Sequence, residues 1–214
     1  MELLPEDLLK AYSTGLFPMS DDRDDDVVYW VNPDLRGIIP LDGFHIPRRL
    51  ARTVRAEPFE IRIDTAFHDV MLGCAGFRPG VDATWINRPI ERAYVKLHKL
   101  GHAHSVECWE GGQLIGGLYG VSLGRAFFGE SMFSRQTDAS KIALVHLVAG
   151  LIKDGFVLLD TQFTNAHLEQ FGVQEIPRVA YRHRLAEALK GTARFQGTAG
   201  LSGASVLQLI NHMS

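Results

Sequence analysis

Apolar positions recur at two spacings along the chain, and the switches between them mark out its elements. PEDLLKAYSTG predicts a short helix, with Pro5 at its start, acids in its first turn and Gly15 past its end. LFPMS and the aspartate run after it read as loop, and VVYWV as a short strand broken by Asn32-Pro33. IPRRLARTVR predicts a helix behind Pro47, FEIRI alternates as a strand, and Asp64 stands where it can cap the helix TAFHDVMLGCA. The glycine-containing loop GFRPGVDA leads to the helix RPIERAYVKLHKLG, with Asn87 and Pro89 at its start and Gly101 past its end. AHSVECWE, QLIGGLYGVSLG and RAFFGES predict an antiparallel meander, its first turn at Gly111-Gly112. DASKIALVHLVAGLIKDG predicts an amphipathic helix, capped by Asp138 and stopped at Gly155. FVLLDTQ is continuously apolar, as suits a sheet covered on both faces, and NAHLEQFG and PRVAYRHRLAEALKG read as two last helices.

This order predicts an α+β fold, a central mixed sheet with helices packed on it. A boundary is expected near Asn32 to Arg36, giving a small N-terminal unit (residues 1–36), a main domain (37–191) and a Gly- and Ala-rich tail (192–214) with no assigned role.

Composition narrows the class. With 46% hydrophobic and 22% charged residues over 214 positions, the chain can bury a sizeable core. It has no apolar run long enough to span a membrane and no secretory leader pattern, and two cysteines are too few for a disulfide framework. The cytoplasm is the expected compartment. Net charge is -3, so the chain as a whole is no polyanion binder, yet DDRDDD and IPRRLARTVR concentrate opposite charges locally.

Five groups of residues could carry chemistry. Asp160 ends the apolar strand, where ligands gather in sheets covered by helices, and Gln162 lies two residues on. A carboxylate beside an amide can orient a nucleophile and withdraw a proton; the alternative is that Asp160 caps the next helix. Glu130 sits among Phe127, Phe128, Met132 and Phe133, either desolvated for a task, paired with a base, or pointing to water from a strand end. Arg48, Arg52 and Arg55 share one helical face, suited to a phosphate backbone or simply solvated. His98, His102 and His104, with Glu107 nearby, could hold a metal or be packed histidines; no HExxH pattern accompanies them. Trp85, Tyr12 and Tyr94 could stack a base or fill the core.

Taken together, AYSTGLFPM, WVNPDLRGIIPLDGFHIPRRLAR, TWIN, AYVKLHKLGHAHSVECWE, LIGGLYGVSLGRAFFGESMFS, DASKIAL and LLDTQFTNAHLEQFGVQEIPR resemble the leucyl/phenylalanyl-tRNA–protein transferases, in order from Ala11 to Arg178. The resemblance implies a small N-terminal domain and a GNAT-like acyltransferase domain. It implies transfer of Leu, Phe or Met from aminoacyl-tRNA to the α-amino group of proteins starting with Arg or Lys, which marks them for degradation. It implies a monomer needing no metal and no coenzyme, because the tRNA ester is already activated. By resemblance, Gln162 bonds the attacking amine, Asp160 polarises Gln162, and Glu130 faces the acceptor's cationic terminus. Leu118, Phe127, Met132, Leu151 and Leu159 line the aminoacyl pocket, Trp85 stacks the terminal adenine, and Arg48, Arg52 and Arg55 hold the acceptor stem. The chain departs from the family pattern at Met19, which stands where a Trp can sandwich the adenine; a thioether contact would replace that ring.

Two other readings compete. An acetyl-CoA-dependent GNAT acetyltransferase should show a Q/R-x-x-G-x-G/A loop opening a helix, and SRQT precedes the helix here instead. A non-catalytic RNA-binding module explains the arginines but not Glu130, Asp160 and Gln162.

Overall fold

The computed structural model describes residues 3–76 and 84–212. Past Gly76, the expected loop GFRPGVDA lies outside the described residues. The chain opens on α1 (Pro5–Ser13) and a ribbon of β1 (Phe17–Met19) and β2 (Tyr29–Val31). There follow β3 (Leu35–Ile39), α2 (Arg48–Ala56), β4 (Glu60–Ile63), α3 (Phe67–Ala75) and α4 (Arg88–Lys99). The meander is β5 (Ala103–Glu110), β6 (Gln113–Leu123) and β7 (Ala126–Ser134). Then come α5 (Ala139–Asp154), β8 (Leu158–Gln162), α6 (Ala166–Glu169), β9 (Gln174–Pro177), α7 (Arg178–Leu189) and α8 (Gly203–Asn211).

Seven strands form one sheet in the order β4-β5-β6-β7-β8-β3-β9. All neighbours are antiparallel except β7 and β8, which run parallel because α5 carries the chain back across the sheet between them. The sheet is therefore mixed, and the α+β expectation holds. Helices cover both faces, and side chains alternate between them as strand geometry requires. Phe127 and Leu159 enter the core under α2, α5 and α8, whereas their neighbours Phe128 and Leu158 enter the core under α1, α3, α4 and α7.

Several sequence expectations change. LFPMS is not all loop, since Phe17–Met19 pairs with β2. LRGII forms β3, which runs through the expected boundary at residue 36 and lies between β8 and β9. Asp64 does not cap α3; its carboxylate accepts from Ser105 N and pairs with His104 Nδ1, both within 2.8 Å. No side chain caps α3; Glu107 accepts the N–H groups of Thr65 and Ala66 just before it. Asp138 precedes α5 without capping it and instead pairs with Arg49 and Lys141. Helix α5 is buried nearly all round rather than amphipathic, because α2 and α8 cover the side that faces away from the sheet. The tail holds α8, which puts Val206, Leu207 and Ile210 into the core against α5.

Candidate active site

β7 and β8 pair only from Ala126–Leu158 to Phe128–Asp160 and then part. The cleft so formed begins where β7 changes register against β6. Tyr119 faces Ser131 but Gly120 faces Gly129, so Glu130 is an extra, bulged residue. Gly120 is needed there, because a Cβ would overlap the Phe128 carbonyl oxygen and the Phe127 ring. The bulge turns Glu130 toward three donors: Tyr12 Oη at 2.6 Å, Tyr94 Oη at 3.1 Å and Gln162 Nε2 at 3.2 Å. Tyr12 and Tyr94 also bond to each other. Burial outweighs these bonds and, with the Asp160 charge nearby, raises the Glu130 carboxyl from 4.5 to about 7. Between those values the folded chain binds more protons than the unfolded one, so this group stabilises most below pH 4.5 and loses its contribution as pH rises through about 7. Glu130→Gln is expected to flatten that decline, as measured by urea midpoints across the range.

On the other side of the cleft, Asp160 is fully buried. Arg36 grips it from β3 with Nε on Oδ1 at 2.9 Å and Nη2 on Oδ2 at 2.6 Å. Tyr181 Oη donates to Oδ2 at 2.6 Å, and the backbone N–H of Gln162 donates to Oδ1 at 2.8 Å. Asp160 therefore neither caps a helix nor polarises the Gln162 amide directly. It holds the Gln162 backbone, whose φ of 58° lies in the left-handed region that non-glycine residues rarely adopt. The Gln162 side chain then reaches Glu130, bridging the parted strands. Arg36 is the residue at this cleft that sequence reasoning missed; an arginine within the short apolar run LRGII was its only signal.

Below this bridge lies a cavity of about 720 Å³, enclosed by β7 beyond Phe128, β8, α5 and α6. Leu118, Met132 and Leu159 line it as expected, and Leu144, Leu147 and Leu168 complete its apolar wall. Phe127 and Leu151 do not line it. Phe127 lies where the strands are still paired and packs against Phe156 and Phe195; Leu151 lies one turn past Leu147, deeper in the core.

A bulged carboxylate, a buried carboxylate holding a strained glutamine, and an apolar cavity between them suit recognition of an amine beside a bulky apolar group. The family model described as leucyl/phenylalanyl-tRNA protein transferase matches residues 38–186, and the model of its N-terminal domain matches residues 1–34. This chain belongs to that family. A leucyl/phenylalanyl-tRNA–protein transferase of Phenylobacterium zucineum (strain HLK1) is 60% identical, covering 97% of each chain. That of Caulobacter vibrioides (strain NA1000 / CB15N) is 57% identical over 98% of this chain and 97% of that one. A solved structure of L-PGS from Bacillus licheniformis is 11% identical with a TM-score of 0.38, over 99% of this chain and 71% of that one. A likeness at that level carries no argument. Family membership removes the acetyltransferase and the non-catalytic RNA-binding module.

The residues expected to face tRNA fall into two sets here. Arg48, Arg52 and Arg55 are all exposed on α2, opposite Leu50 and Val54. Arg49 on the same helix pairs with Asp138 at 2.7 Å, which places α2 beside the start of α5, whose Ser140 lines the cavity. The aromatic candidates divide. Tyr12 and Tyr94 cannot stack an adenine: both are fully buried and committed to Glu130. Their helices carry them inward from positions 82 residues apart, a meeting no local pattern announces. Trp85 and Met19 are half-buried, outside the cavity. The loop after Met19 is tied to the segment after Trp85, with Asn87 Nδ2 on Asp25 O at 2.7 Å and Arg23 Nη1 on Ile86 O at 3.3 Å. The histidines are held by packing: His98 stacks on Phe67, and His104 pairs with Asp64. Among the described residues no group of three or more His, Cys, Asp or Glu side chains could hold a metal.

Proposed function

We propose that the family's reaction, transfer of Leu or Phe from aminoacyl-tRNA to a protein N-terminus, takes place at the parting of β7 and β8. The observation that carries this is the Glu130–Gln162 bridge across the cleft, directly above an apolar cavity of about 720 Å³. The Leu or Phe side chain enters the cavity, where Leu118, Met132 and Leu159 select by size and apolarity. Met fits the same wall, so Met-tRNA serves as a further donor. The α-amine of the acceptor lies at the bridge. It arrives as an ammonium and gives one proton to the Glu130 carboxylate before it attacks. Gln162 Nε2 is committed to Glu130, which leaves the amide oxygen to accept an N–H of the amine and aim its lone pair. Glu130, poised near neutral pH by burial, faces the cationic terminus. The new N–C bond then forms as the ester C–O bond breaks, and a proton from the nitrogen goes to the leaving tRNA hydroxyl. Asp160 acts as support, through the Gln162 backbone.

Around this centre, Trp85 and Met19 enclose the terminal adenine, and Arg48, Arg52 and Arg55 hold the acceptor stem by its phosphates, which is independent of sequence. The acceptor begins with Arg or Lys, and the enzyme works in the cytoplasm as a monomer. Among the described residues no helix is long and apolar enough to cross a membrane. The family's chemistry calls for neither metal nor coenzyme.

The test is transfer of phenylalanine from Phe-tRNA to matched peptides starting with Arg or Met. The Arg peptide is expected to be strongly preferred. Gln162→Ala is expected to lower kcat about 100-fold, the scale of losing a group that orients the attacking amine. Full activity in that variant removes Gln162 from the mechanism.

A further inference from the structure

Arg36 is 1% exposed, and each of its three guanidinium nitrogens has a hydrogen-bond partner. Two of its nitrogens hold both oxygens of Asp160, and the third, Nη1, donates to the carbonyl oxygen of Gly15 at 2.9 Å. Its flat faces are covered by the rings of Phe17 at 4.6 Å and Tyr181 at 4.5 Å. Gly15 and Phe17 form the corner between α1 and β1, and α1 also supplies Tyr12 to Glu130. One guanidinium thus connects the N-terminal segment to the carboxylate that holds Gln162 in a left-handed backbone.

We infer that Arg36 is a positioning residue for the transfer reaction: it sets the Gln162 amide through Asp160 and ties that setting to the docked α1–β1 corner. The inference rests on the role proposed for Gln162. A bidentate grip fixes both the place and the plane of a carboxylate, which a point charge does not. Asp160 so fixed offers Oδ1 to the Gln162 N–H in one direction, and this anchors the strained residue. Without the fork, Asp160 still binds Tyr181, but Gln162 can relax toward ordinary backbone angles and withdraw its amide from Glu130. The N-terminal segment then acts within the active site, supplying a hydroxyl to Glu130 and a carbonyl to Arg36.

Arg36→Lys keeps the positive charge and loses the fork. It is expected to lower kcat about 10- to 100-fold per folded molecule, the worth of hydrogen bonds to a charged group. KM for Phe-tRNA should stay within about twofold, because the cavity wall is untouched. In the Gln162→Ala background the same change should cost nothing further, since its target is gone. Tyr181→Phe removes one bond to Asp160 and leaves the ion pair; it is expected to lower kcat about fivefold, again with no added loss beside Gln162→Ala. This second pair decides the matter if the lysine variant does not fold. Wild-type kcat in Arg36→Lys, or losses that multiply with Gln162→Ala, overturns the inference. If Gln162→Ala is fully active, the proposed role of Gln162 falls and the inference with it. If Gln162→Ala is crippled while Arg36→Lys and Tyr181→Phe are normal, only the inference falls.

Discussion

Asp160→Ala is expected to lose about 3–5 kcal/mol of stability, because it leaves the Arg36 guanidinium buried, charged and without its partner. The carboxylate removed accepts four bonds: two from Arg36, one from Tyr181 Oη and one from the Gln162 N–H. A methyl group answers none of them, and no water reaches a residue of zero exposure to take their place. Differential scanning calorimetry should show the melting point falling by about 10 °C or more, the scale expected for a chain of this length. Transfer should fall further than the folded fraction does, because Gln162 loses its anchor even in molecules that fold. Asp160→Asn keeps the shape and one acceptor oxygen but sets an amide NH2 against a donor, and should lie between the two. A melting point unchanged in Asp160→Ala would mean that the buried pair is not formed in solution.

Truncation before Ser202 is expected to unfold the protein. The tail's helix α8 buries Val206, Leu207 and Ile210 against α5 and α2. At about 1.5–3 kcal/mol per buried aliphatic side chain, those three contribute roughly 5–9 kcal/mol, which is of the same order as the whole stability of a domain. Their loss also opens α5, which is buried on nearly every side. The truncated chain should be insoluble or should melt without a cooperative transition in near-ultraviolet circular dichroism. A soluble truncated chain with a sharp transition would show that α8 only decorates the core.

Much of this was legible from spacing alone. Asn87 caps α4 through Ile90 N, Gly111 and Gly112 turn the hairpin with positive φ, and β8 is apolar on both sides because helices cover both faces of the sheet. The misses have physical reasons. Periodicity reports which side of an element is apolar, so α5, apolar on nearly every side, was taken for an amphipathic helix. In α8 the apolar positions 206, 207 and 210 do recur at helical spacing, but the small residues before them read as loop. Glu130 stood out because a carboxylate among aromatics is unusual, and the cleft bears it out as a residue with a perturbed environment. Its partners Tyr12 and Tyr94 were read only as rings that stack a base or fill the core, because a hydroxyl's target lies across the fold and not along the chain. Arg36 was missed for the same reason. A buried charge is recognised by its partner, and Asp160 is 124 residues away.

That separation has a consequence during synthesis. At about 5–20 residues per second, a ribosome adds the stretch between Arg36 and Asp160 in roughly 6–25 s. Throughout that interval the nascent chain carries an arginine destined for the interior with nothing to neutralise it, so the central sheet cannot close around β3. Tyr12 waits nearly as long for Glu130, and Tyr181 and α8 emerge later still. The Glu130 side of the cleft needs only residues up to β7, whereas the Asp160 side joins Arg36 near the start of the chain to Tyr181 near its end. On the proposed mechanism, a chain that stops before β8 lacks Asp160 and Gln162 and so lacks one whole side of the cleft.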